Sequence, residues 1–142
     1  MIDFIKPCSE GIMVSSQQKR NTVRTSVNHY LSHMLAPQLT TLTGRKDAVK
    51  KQLNRKRNVP VLINASHCFY DTHHARDINR ALINVHAVET MRACSKTQTI
   101  IVFISGDSLR VNRSLSTLKN RHKQVKNHLK TLETTQIESV LI

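Results

Sequence analysis

The sequence predicts an α+β fold, with antiparallel strands from about Val59 to Val111 forming one sheet. Short elements precede the sheet, and a C-terminal amphipathic helix covers one of its faces. Three observations carry this expectation. Apolar, β-branched runs recur between Val59 and Ile104; Ser105-Gly106-Asp107 separates two of them as a hairpin turn; and a leucine-rich stripe of helical period follows from Leu115.

The first forty residues are weakly patterned. Gly11 to Ser16 reads as a short strand, and Thr22 to Ser26 alternates with the period of a half-buried strand. From Asn28 to Ala36, Tyr30, Leu31, Met34 and Leu35 recur at helical spacing, and Pro37 stops the helix. Thr43-Gly44 reads as a turn that opens a short helix with Ala48, Val49 and Leu53 as its interior. On that helix Lys46 and Lys50 share one face, and Lys51 and Arg55 share the next.

After Asn58 the pattern changes to strands. Val59 to Ile63 pairs with His67 to Tyr70 across the tight connection Asn64-Ala65-Ser66. Asp71 to Arg80 is a polar loop, and Ala81 to Val88 is a strand. Thr99 to Ile104 is the strongest apolar run and reads as a buried central strand. In the partner strand of its hairpin, Leu109 and Val111 face inward and Arg110 outward. The last helix runs from Ser114 or Ser116 to about Glu133. Leu115, Leu118, Val125, Leu129 and Leu132 form its apolar stripe, with His122 in the gap. The stripe is read as core packing, with a dimer seam as the alternative; beyond Glu133 the tail is expected to fray, with Val140-Leu141-Ile142 able to dock.

Charge is the main indication of function. The 142 residues hold 22 Lys and Arg against 9 Asp and Glu, a formal net charge of +13. The basic residues concentrate between Gly44 and Asn58, as Arg45, Lys46, Lys50, Lys51, Arg55, Lys56 and Arg57, with Asp47 the one acid among them. Nucleic-acid phosphate fits such a run, because each contacting Lys or Arg releases condensed counterions. Arg110 and Arg113 extend the candidate surface. A membrane role is disfavoured, since there is no long apolar run and Asp3, Lys6 and Glu10 interrupt the N-terminus; the chain reads as a single cytoplasmic domain.

Little else in the chain carries chemistry. Cys8, Cys68 and Cys94 are odd in number and widely spaced, which suits free thiols. His67-Cys68, His73-His74, His86 and Cys94 invite a zinc reading, but their spacing matches no finger or ribbon, so no metal and no cofactor is assigned. No catalytic motif is recognisable. Asp71 and Asp77 around His73 and His74 are the best cluster for a metal-dependent nuclease, the weakest functional reading.

In this order the elements resemble the ComK family of competence transcription factors. The likeness rests on Gly44-Arg45-Lys46, Pro60 with Val61 to Ile63, Cys68-Phe69 before Asp71-Thr72, and Ile83-Asn84-Val85-His86 with Val88. It continues through Ile100 to Phe103, Gly106, Leu109 and Ser116, covering roughly Thr22 to Leu132. Two departures stand out: Leu82 replaces a Trp found in some members, and a C-terminal extension that serves adaptor-mediated proteolysis is largely missing. The resemblance implies an activator of DNA-uptake genes that binds paired A/T-rich boxes of double-stranded DNA, largely through the minor groove, as a dimer or pair of dimers. It also implies RNA polymerase and a proteolytic adaptor as partners. An RNA-binding accessory protein is the alternative, against which the scarcity of strand aromatics (Phe69, Tyr70 and Phe103) counts.

Overall fold

A computed structural model describes residues 1–141, with side chains over residues 1–132. The class is α+β, as expected, but the strands divide into two antiparallel sheets. The N-terminus contributes three strands: β1 (Ile2–Cys8), β2 (Gly11–Ser16) and β3 (Lys19–Val23). Only β2 falls where the sequence suggested. The β2–β3 hairpin escapes sequence reading because its turn is Gln17-Gln18, both at positive φ (+51° and +67°), where Asn-Gly would have signalled it. At the other end of β2, Gly11 has φ +137°, and a Cβ there would sit 2.2 Å from the Val23 carbonyl oxygen.

Helix α1 (Val27–Leu35) is capped by the Ser26 hydroxyl, which accepts from the His29 N–H at 3.1 Å. Thus Ser26 ends the expected strand early. Pro37 lies in a 3₁₀ turn, Ala36–Gln38, that Leu39 closes at φ +57°. Helix α2 (Leu42–Leu53) begins a turn before the position expected. Thr41 Oγ1 accepts from Gly44 N at 3.0 Å, so Thr43-Gly44 belongs to the first helical turn rather than to a loop. Leu42 and Val49 point inward, Leu53 is half-buried, and Ala48, expected inside, is exposed.

Strands β4 (Val61–Asn64), β5 (His67–Asp71) and β6 (Leu82–Asn84) complete a sheet of order β3-β2-β1-β6-β5-β4. Phe4 of β1 lies opposite Ile83 of β6, so the N-terminal strand is central. Both faces are covered. Ile5, Phe69 and Leu82 meet Leu31 and Leu35 of α1; Phe4, Tyr70 and Ile83 meet the second sheet and the last helix.

The strand expected from Ala81 to Val88 is broken. After β6 a 3₁₀ turn (Val85–Ala87) redirects the chain into β7 (Val88–Ala93), which pairs with β8 (Thr99–Phe103); β8 in turn pairs with β9 (Ser108–Val111). Asn84 is the cause. Fully buried, its Oδ1 accepts from the N–H groups of Cys68 (3.2 Å) and His86 (3.3 Å), and its Nδ2 donates to the carbonyls of Ile2 (2.7 Å) and Ser66 (2.9 Å). A side chain that serves four backbone groups ends one ladder and caps the turn into the next. The β8–β9 hairpin is as expected, with β8 central and Leu109 and Val111 buried.

That hairpin's turn is held by the first sheet. Asp107 accepts from Ser15 Oγ (2.6 Å) and from Arg20 Nε and Nη2 (3.2 and 3.0 Å), Gln18 donates to the Ser105 carbonyl, and Ser105 Oγ donates to Asp3 (2.6 Å). Helix α3 (Leu115–Leu141) closes the molecule. Leu118, Val125, Leu129 and Leu132 are buried and Leu115 half-buried, so the stripe is core packing and not a dimer seam. His122 fills its gap, accepting at Nδ1 from the Tyr70 hydroxyl at 2.9 Å; burial, then Lys126, pushes the imidazole down to about 4, so it stays neutral. The helix continues to Leu141, past the Glu133 at which it was expected to end and fray, and the expected docking of Val140-Leu141-Ile142 concerns side chains outside the described residues.

Two outcomes are expected. Val125→Asp places a carboxylate at a fully buried site and unfolds the chain by circular dichroism, whereas Val125→Ala lowers stability by about 1–3 kcal/mol with the fold kept. For Asp107, burial raises the carboxyl, but hydrogen bonds from Arg20, Ser15 and the Ser108 N–H outweigh it and hold the pKa below the ordinary value. Its stabilisation is therefore present at neutral pH and lost as pH falls through that depressed pKa. Asp107→Asn should be less stable at pH 7 and show a shallower acid limb in urea titrations.

Candidate nucleic-acid interface

The inward row of α2, Leu42, Val49 and Leu53, sets the direction of every basic side chain around it. Lys46 and Lys50, one helical turn apart, share a face as expected and line a cleft of about 880 Å³. Lys56 and Arg57 join them from the segment between α2 and β4, which Asn58 turns at φ +56°. The rest of the lining comes from elsewhere in the chain. Arg113, just after β9, donates from Nε to the Thr72 carbonyl at 3.1 Å, and Arg121, on the second turn of α3, donates from Nη1 to the Asn58 carbonyl at 2.8 Å. Val59, Val61, Ala75 and Leu118 supply apolar lining.

Asp71 is the one acid lining this cleft, and it is paired with Arg80. Among the described residues the other ion pair is Arg20–Asp107, remote from the cleft. The cations that line the cleft thus have one acid among them. The Arg121 guanidinium is held below its ordinary value chiefly by burial; Asp71 pulls the other way, and Arg55 adds a smaller push down. An anion entering the cleft would add compensating charge.

The remaining expected residues lie outside the cleft lining. Arg45 turns to the other side of α2, donating from Nη2 to Gln38 Oε1 at 2.8 Å, with its Nε buried and unpartnered. It lines a separate hollow of about 320 Å³ together with Leu62, Ile63, Leu129 and Leu132. Arg55 is half-buried beside α3; with the Gln124 amide oriented to satisfy both its groups, the amide oxygen accepts from Arg55 Nη1 at 2.7 Å. Lys51 is exposed, and Arg110 is exposed on the three-stranded sheet, opposite Ile100. Sequence reasoning did not assign Arg121 to the site. Its position directly before His122, in the gap of the buried stripe, was the signal for a half-buried flank.

His67, His73 and Cys68 have structural roles. His73 accepts at Nδ1 from Thr72 Oγ1 (2.8 Å) and donates from Nε2 to the Asn112 carbonyl (3.0 Å), so both ring nitrogens are engaged. His67 Nε2 accepts from the Ile2 N–H at 3.0 Å. Burial pushes the Cys68 thiol up to about 12, which keeps it protonated. Asp77 accepts from the Asn79 N–H in a local turn. Among the described residues no three of His, Cys, Asp and Glu gather as a metal site, and no helix is long and apolar enough to cross a membrane.

Comparison with known proteins places this geometry in a family. No curated protein and no solved structure matches the chain. Residues 8–138, however, match the family described as ComK protein. That match spans nearly the whole chain, from the last residue of β1 onward, and the protein accordingly belongs to the ComK family of competence transcription factors.

Proposed function

We propose that this protein is a sequence-selective activator of DNA-uptake genes that works at the chromosome and grips double-stranded DNA with the basic cleft and its rim. The observation that carries the reading is the convergence of Lys46, Lys50, Lys56, Arg57, Arg113 and Arg121 from separate parts of the chain, with Asp71 already paired. A surface built this way holds its cations in fixed positions, which suits a backbone of regularly spaced phosphates. Lys51, Arg55 and Arg110 extend it electrostatically. Contact with A/T-rich boxes is proposed to run largely through the minor groove, whose narrow, strongly negative form over A-tracts attracts arginine. Paired boxes require at least two copies, and activation requires contact with RNA polymerase.

The RNA reading loses ground on a specific observation. Phe69, Tyr70 and Phe103 are 0, 1 and 0 % exposed, so none offers a platform on which a base could stack. A nuclease is disfavoured by the pairing of Asp71 with Arg80 and the full engagement of His73.

Quantitative gel shifts over a series of salt concentrations test the proposal. Lys50→Ala and Lys56→Ala should weaken binding to A/T-box and random duplexes alike, each flattening the slope of log K against log salt by about 0.9. Arg57→Ala and Arg113→Ala should weaken the A/T-box duplex about tenfold more than random DNA, because arginine in a groove reads its shape and potential. Wild-type affinity and slope in all four variants would remove the cleft from the interface.

A further inference from the structure

The interior of the cleft, below the rim on which a duplex can rest, has the size for a smaller anion. Its volume of about 880 Å³ lies within the roughly 300–1,000 Å³ of sites that enclose small ligands. A duplex can rest on the rim but cannot fill the interior. What lines that interior is also divided by chemistry. Val59, Val61, Ala75 and Leu118 supply apolar lining, and Lys46, Lys50, Lys56, Arg57, Arg113 and Arg121 supply cations.

The two arginines are set up as receptors. Arg113 is held through Nε by a neutral carbonyl, and no protein partner among the described residues takes its two Nη groups. Arg121 is anchored through Nη1 to the Asn58 carbonyl, leaving Nε and Nη2 without protein partners among the described residues. Each guanidinium is therefore oriented by a neutral carbonyl while part of its donor fork stays open. Phosphate oxygens complete such forks with charge-assisted bonds, and the ordering cost is already met by the anchors.

We propose that the cleft binds a nucleoside polyphosphate. Arg113, Arg121 and the lysines of the α2 wall hold the phosphate chain, and the nucleoside lies on the apolar lining. Ligand and DNA then draw on the same cations and compete, which makes the site a means of switching DNA binding off. Only the competition rests on the DNA-binding reading; the ligand site stands on the geometry of the cleft.

Isothermal titration of the full chain with ATP, AMP and inorganic triphosphate, without DNA and at about 0.15 M ionic strength, tests the site. ATP should bind one to one, with AMP and inorganic triphosphate each at least about tenfold weaker, the first for want of phosphates and the second for want of the nucleoside. Arg121→Gln and Arg113→Gln, with unchanged circular dichroism, should each lower ATP affinity about tenfold, the equivalent of one charge-assisted hydrogen bond. Absence of ATP binding, unchanged affinity in both variants, or inorganic triphosphate binding as tightly as ATP would overturn the inference. Displacement of a fluorescent A/T-box duplex by ATP then tests competition. A duplex that binds and is not displaced overturns the switching role. Duplex binding without ATP binding defeats the inference and leaves the DNA reading intact, and the reverse result defeats the DNA reading alone.

Discussion

The fold depends on one buried amide. Asn84 joins the β1 backbone at Ile2, the β4–β5 turn at Ser66, β5 at Cys68 and the following 3₁₀ turn at His86, using both donors and both acceptor positions of its side chain. Without those bonds the buried Cys68 N–H would lose its Asn84 partner at a cost of about 1–3 kcal/mol, and the part-buried groups at Ile2, Ser66 and His86 would lose theirs. The residue also decides the architecture. By ending β6 and starting a turn it sends Val88–Ala93 into a separate sheet, and that sheet carries β9 and the start of α3 to the cleft.

How much of this was legible in the sequence varied with the kind of signal. Period and turn chemistry identified the β4–β5 and β8–β9 hairpins, α1 and the α3 stripe, because there the side chains announce their own surroundings. The N-terminal sheet was hidden. Asp3 interrupts β1 and is nonetheless 1 % exposed, since Ser105 from the other sheet donates to it, and the β2–β3 turn uses two glutamines at positive φ. The break after Asn84 was equally unreadable, because ALINVHAV alternates well enough for one strand and the groups Asn84 serves lie far away in sequence. At the site, the periodicity of α2 brought Lys46 and Lys50 together correctly. It could not show that Arg45 turns away, or that Arg121 comes from α3, since both follow from how two helices meet.

The cationic cleft exists only in the folded chain. Lys46 and Arg113 are remote in sequence, so unfolding disperses the charges and relieves their repulsion. Folding therefore concentrates like charge against an electrostatic cost, and a polyanion that recognises only the folded form returns that free energy. By mass action such a ligand stabilises by RT ln(1 + [L]/Kd), so the stability of this protein is tied to whether its surface is occupied.

The central position of β1 has a further consequence for biogenesis. Its neighbour on one side, β2, follows at once, but the other, β6, is Leu82–Asn84 and is translated much later. At bacterial elongation rates the interval is on the order of several seconds. Throughout it the hairpins β1–β2–β3 carry, besides the β3 edge that persists in the folded sheet, a second open edge made of a strand that should be internal. Open edges template pairing with other chains. The nascent polypeptide is thus most exposed to intermolecular misassembly before Asn84 leaves the ribosome, and a pause in translation upstream of that codon would lengthen the exposure.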